Sequence, residues 1–151
     1  MPRIVNPKRI VPPASRHSHG IVHSARAYRL VISGQVGVTP DGLMAEGLEA
    51  QMVTAWQNIV EILHEAGMTV SDLVRVNVMV TVPGSARVHR LVLERVLGRH
   101  APTIGYMEVA ALAQAEFLVA IDGEAVSEET ENLFDEVPQS SAMRSRYGRG
   151  D

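Results

Sequence analysis

The side chains of this 151-residue chain that could do chemistry are six histidines, a few well-placed serines and threonines, scattered carboxylates and several arginines. His17, His19 and His23 could share one face of a strand, and three imidazoles invite a zinc ion. The carboxylate or cysteine partners at metal-binding spacing are missing, and there is no His-Glu-x-x-His. Surface or cleft roles suit these histidines better, and no metal is expected. His64 and His89 fall on two helical stretches and should be partly solvated, while His100 falls in a loop. Ser33 ends an apolar strand, but no Gly-x-Ser-x-Gly elbow surrounds it, so acyl transfer is a poor fit. Cysteine is absent, which removes thiol catalysis, disulfide scaffolding and thiolate-bound metal together.

The elements that must position these groups follow from periodicity. Residues 1–16 are rich in Pro and basic side chains, with room for a short strand at Ile4 and Val5. Residues 27–32 form a short β-branched run suited to a buried strand, and Pro40-Asp41-Gly42 is a turn. A helix is predicted over 49–66, with Met52, Ala55 or Trp56, Ile59, Ile62 or Leu63, and Ala66 on one stripe and Gly67 stopping it. Residues 72–82 alternate, with Val74, Val76, Val78, Val80 and Val82 on one face and Leu73, Arg75, Asn77, Met79 and Thr81 on the other. Pro83-Gly84-Ser85 breaks the strand and offers a cap to a second helix over 86–97, whose buried stripe reads as Val88, Leu91, Val92 and Val96. Strands at 104–110 and 116–126 complete the order. It argues an α+β fold, a mixed β-sheet with two helices packed on one face.

Composition narrows the function classes. The chain is 46% hydrophobic and 21% charged, ordinary for a globular protein, and fits a single domain over 1–126 with a polar C-terminal tail over 127–151. A net charge of -3 leaves no basic footprint for nucleic acid. No apolar run approaches the roughly 20 residues that span a bilayer, and the N-terminus lacks a secretory h-region, so no membrane partner and a cytoplasmic location are expected. Helices on one side of the sheet leave the other side uncovered, with strongly apolar positions such as Leu118, Ala120, Met79 or the valine row of 74–82. Self-association is the natural remedy for such a patch.

Several segments together carry a likeness. Ser33-Gly34-Gln35 closes an apolar strand, and Glu49-Ala50-Gln51 opens a helix that closes at Glu65-Ala66-Gly67. Pro102 is followed, after a gap, by Glu108-Val109. The pattern resembles the RidA/YjgF family of reactive-intermediate deaminases over residues 9–126. The resemblance implies a chorismate-mutase-like (RidA-like) homotrimer whose sheets meet around a barrel-like core. Small-molecule substrates would bind in clefts between subunits, and no cofactor is needed.

Matched residue by residue, the resemblance also proposes a site. His17 stands where a cleft tyrosine is usual; an imidazole can donate a hydrogen bond there and, unlike a phenol, exchange a proton near neutral pH. Ser33 and Gly34 match the pocket floor, a hydroxyl beside a residue that lets ligand approach the backbone. Asp122 matches the glutamate that positions the attacking water, one methylene shorter. Thr103 and Ile104 fall in the segment where the deaminases carry the arginine that clamps a substrate carboxylate, and Ile104 occupies that arginine's place. Arg90, on the second helix, falls where the family often has a pocket asparagine, and could reach the same carboxylate. Asp122, Ser33, His17 and Ile104 are thus expected to converge on one cleft.

These readings lead to a hydrolytic deaminase of a small enamine or imine, acting on something other than a standard 2-imino acid. A non-catalytic metabolite-binding trimer is the alternative. A ribonuclease or translation inhibitor fits less well, because phosphate tracking needs cations and base stacking needs rings, and only 4% of residues are aromatic.

Overall fold

A computed structural model describes residues 2–128. The tail expected at 127–151 lies outside the described residues apart from its first two. Among the described residues eight strands and α-helices follow in order: β1 (Arg3–Val5), β2 (Gly20–Val22), β3 (Tyr28–Val36), α1 (Leu48–Glu65), β4 (Leu73–Val80), α2 (Ala86–Leu97), β5 (Thr103–Glu108) and β6 (Val119–Ser127). β1 and β2 form a small antiparallel pair. The main sheet runs β3-β6-β4-β5, with β4 and β5 parallel across the α2 crossover and the other neighbours antiparallel. This is the mixed sheet expected from the element order, with α1 and α2 on one face.

The helix α1 forms because its apolar positions recur at helical spacing. Met52, Ala55, Trp56, Ile59 and Leu63 are buried against the sheet, each at 1% exposure or less. Burying side chains of this size contributes roughly 1.5–3 kcal/mol apiece. The helix stops at Gly67, whose φ of 69° is the left-handed conformation that glycine adopts without a Cβ penalty. Below the helices, Val76, Val78 and Val80 of β4 join Val119, Ile121 and Ala125 of β6 in the same core.

Three local expectations need correction. Leu73 was assigned to the face opposite the valines, but a register shift between Leu73 and Arg75 pairs Leu73 with Ala125 and turns it into the core, fully buried. A β-bulge inserts one residue and flips alternation, which period-2 counting cannot anticipate. On α2 the buried residues are His89, Val92, Leu93 and Leu97, while Leu91 is 46% exposed. The stripe is rotated by about one residue because His89, expected to be partly solvated, packs inward against Tyr106, ring centroids 4.8 Å apart. Ser85 makes no side-chain cap on α2; its hydroxyl donates to the Val82 carbonyl at 2.6 Å. Glu108, from the end of β5, instead holds the turn that leads into the helix by accepting from the Gly84 and Ser85 amides.

The second face of the sheet carries no helix. Val31 is 66% and Met107 43% exposed there. Beside them lie half-buried Met79 and Ala120 and the polar row Arg75, Asn77, Asp122 and Glu124. The face is therefore mixed in character rather than the apolar surface that the strand pattern suggested.

Candidate functional site

The open face holds a cavity of about 330 Å3 whose walls include Ser33, Gly34, Arg75, Asn77, Asp122 and Glu124. Its geometry begins in β3. Ile32 pairs with Gly123 and Gln35 with Ile121, so Ser33 and Gly34 together oppose the single residue Asp122. That is a β-bulge, and it sets a hydroxyl-bearing residue and a bare backbone position opposite Asp122 in the lining of one cavity. Both Ser33 and Gly34 are exposed, and a Cβ built at Gly34 would meet nothing within 4 Å.

Asp122 comes from the centre of β6 and faces Asn77 of β4 across the antiparallel register. The Asn77 amide donates to one Asp122 oxygen at 2.8 Å. The room for Asn77 is made by β5: Gly105 is its parallel partner, and a Cβ there would stand 2.9 Å from the Asn77 Oδ1. Next along the face, Glu124 is paired with Arg29 at 2.8 Å, and the guanidinium beside it holds its carboxyl below the usual range.

Four of the expected residues lie elsewhere in the subunit. Ile104 pairs with Val76, so its side chain is on the helix side of β5 and packs on the core. Asp122 and Asn77 occupy the opposite face, so an apolar Ile104 wall does not border this cavity. Residues His17 and Ser18 are drawn to the start of β5, where the Ser18 amide donates to the Pro102 carbonyl at 2.8 Å and its hydroxyl donates to the Ala101 carbonyl. His17 is half-buried there, its Nδ1 3.1 Å from the Ser15 hydroxyl. Thr103 sits at the same end, its hydroxyl donating to the Val74 carbonyl at 2.7 Å. Arg90 is exposed on α2, one residue from buried His89. One subunit thus joins Asp122, Ser33 and Gly34, and leaves His17, Thr103, Ile104 and Arg90 outside their pocket.

Asn77 and Arg75 were not foreseen as site residues. Their signal was present: two polar residues two apart, interrupting an apolar strand on the face opposite the valine row. Gln51 was also missed as a structural group. It is buried at the start of α1, and its amide donates to the Glu116 carbonyl at 3.0 Å and accepts from the Leu118 amide at 2.9 Å. A side-chain amide so placed pins the connection into β6, and so fixes the strand that carries Asp122.

A larger cavity of about 520 Å3 lies at the far end, between β1–β2 and the α1–β4 connection. Two of its polar groups are committed to backbone: Asp72 accepts from the Thr69 amide and the His100 Nε2 lies 2.7 Å from the Leu73 carbonyl. Among the described residues no three His, Asp or Glu side chains gather at metal-binding distance. No helix among them is long and apolar enough to cross a membrane.

Comparison with known proteins extends these observations. Residues 8–127 match the family described as endoribonuclease L-PSP. A RutC family protein from Aquifex aeolicus is 38% identical over 53 residues, 34% of this chain and 42% of that relative, so the match spans less than half of the relative's length. Among solved structures, the Rid-family protein YyfB of Yersinia pestis, itself described as of unknown function, superimposes with a TM-score of 0.74 at 27% identity over 83% of this chain and 98% of that one. RidA from an Antarctic Psychrobacter superimposes with a TM-score of 0.63 at 25% identity, over 83% and 99% of the two chains.

Proposed function

The chain belongs to the endoribonuclease L-PSP family, the YjgF/RidA proteins, and from that premise we propose that it is a homotrimeric hydrolytic deaminase of small imines or enamines. The observation that carries this reading is the Asn77–Asp122 pair facing the Ser33–Gly34 bulge across an open cavity. Hydrolysis of an imine needs little more than an oriented water, a proton donor and a site from which bulk solvent is kept. Asp122, with one oxygen held by Asn77, has its other oxygen free to orient that water. The water adds to the C=N carbon, its proton passes to nitrogen, and collapse of the adduct expels ammonia and leaves a carbonyl. An enamine enters the same route after protonation on carbon. This chemistry calls for neither metal nor organic cofactor.

A trimer supplies what one subunit lacks. His17 and Thr103 stand at the start of edge strand β5, away from the cavity, and a second copy laid on the open face would bring such an edge to Asp122. Exposed Val31 and Met107 on that face support self-association. With Ile104 packed on the core, the arginine fork of the resembling deaminases is absent, and the substrate is expected to differ from a standard 2-imino acid. The family's description names a ribonuclease, but a net charge of -3 and 4% aromatic residues favour a small metabolite over RNA.

Ammonia release from imines generated in situ tests the reading, with Asp122→Asn as comparator. Acceleration over buffer that depends on Asp122 is expected. Ligand binding with no acceleration on any imine or enamine would leave the same trimer as a metabolite-binding module.

A further inference from the structure

We propose that Arg75 is the anion-binding residue of the open-face pocket, holding the carboxylate of an imine- or enamine-bearing acid while Asp122 holds water. The inference rests on the deaminase reading for the reaction, but the binding it describes stands on the pocket alone. Arg75 lines the same cavity as Ser33, Gly34 and Asp122, and its side chain is exposed to it. Every other charged group there has a partner: Glu124 pairs with Arg29, and Asp122 accepts from Asn77. The Arg75 guanidinium makes no hydrogen bond or ion pair within 4 Å among the described residues, although Glu124 is close enough to feel its charge. Among the described residues it is the one cation lining the pocket, its fork of donors is unspent, and that fork matches two carboxylate oxygens.

The position also says something about the ligand. Arg75 and Asn77 are two residues apart on β4, about 7 Å between Cα atoms by strand geometry, and Asn77 is the register partner of Asp122. A carboxylate at Arg75 and a reacting carbon above Asp122 are thus held apart along the strand. That spacing suits acids whose carboxylate is separated from the C=N carbon by one or more further carbons, in place of the adjacent arrangement of 2-imino acids.

The test uses the full chain, titrated with 4-oxopentanoate and with its methyl ester, and followed by calorimetry or NMR shifts. The wild type should bind the acid more tightly than the ester. In Arg75→Ala the acid should weaken roughly tenfold to a hundredfold, the cost of a charge-assisted contact, while the ester is unchanged, so the preference disappears. Arg75→Lys should recover part of it. An acid preference that survives R75A, one that disappears in R90A instead, or no binding of the acid by the wild type overturns the proposal. Turnover is not read here, so an Arg75-dependent preference stands even without ammonia release. An acid preference indifferent to R75A, in a protein that does release ammonia from imines, would overturn this inference alone.

Discussion

The Asn77 amide donates to the Asp122 carboxyl at 2.8 Å, and this bond ties together the two central strands of the sheet on the face that no helix covers. A half-buried side-chain pair placed where packing does not require it suggests that the carboxyl is being oriented. Asp122→Asn keeps the shape but loses the base. Turnover should fall on the order of a hundredfold or more, with folding stability changed by no more than about 1 kcal/mol. Ammonia-release kinetics beside thermal unfolding measure both, and full activity in D122N would remove Asp122 from the mechanism.

The separation of His17 from Asp122 within a subunit gives a second expectation. If the working cleft joins His17 of one subunit to Asp122 of the next, His17→Ala and Asp122→Asn proteins should each be impaired alone. Dissociated, mixed in equal amounts and reassembled, they should regain about a quarter of wild-type activity, because only that share of interfaces pairs two intact residues. No recovery on mixing, or a monomer by light scattering at micromolar concentration, argues against a shared cleft.

Much of this architecture was legible in the sequence, and the failures have identifiable physical causes. The stripe of Met52, Trp56, Ile59 and Leu63 gave α1 because burial there obeys one period from end to end. The sheet face of Leu73 did not follow, since a bulge resets alternation without changing composition. The α2 stripe was misjudged because two apolar stripes share Val92, and Tyr106, eighteen residues or less from all of them in sequence, decides between them through its stack on His89. Ser33, Gly34 and Asp122, which line one cavity, were legible as neighbours. Ile104 was placed with them although parity along β5 puts it with Tyr106 on the helix side.

That parity makes Ile104 a stability residue as well as a vacancy. Ile104→Ala should cost about 1–3 kcal/mol in denaturant unfolding, less than a fully buried isoleucine because the site is only half covered. It should leave the affinity of the open-face pocket for small acids unchanged. A loss of ligand affinity without loss of stability would show that Ile104 faces a ligand.

The last expectation concerns His89. Burial, with the Arg90 charge beside it, lowers its pKa to about 4, and its Nδ1 has no hydrogen-bond partner. In the unfolded chain it would titrate near its ordinary value of 6.5. Folding therefore favours the neutral ring, so the contribution is complete above pH 6.5 and is lost as the pH falls toward 4. The unfolded state takes up the proton over that window while the folded state resists it. The loss is on the order of 3 kcal/mol. Glu108 and Glu124, whose carboxyls are held below their ordinary value of 4.5, act only at the acid end, so the upper part of the window isolates the histidine. Urea unfolding at pH 7 and at pH 5 should show the wild type weakening on acidification and His89→Leu weakening much less. Leucine fills the site against Tyr106 without a polar atom to satisfy, so the variant should remain folded at both pH values. Equal pH slopes for the two proteins would mean that His89 opens to solvent and takes its proton without unfolding.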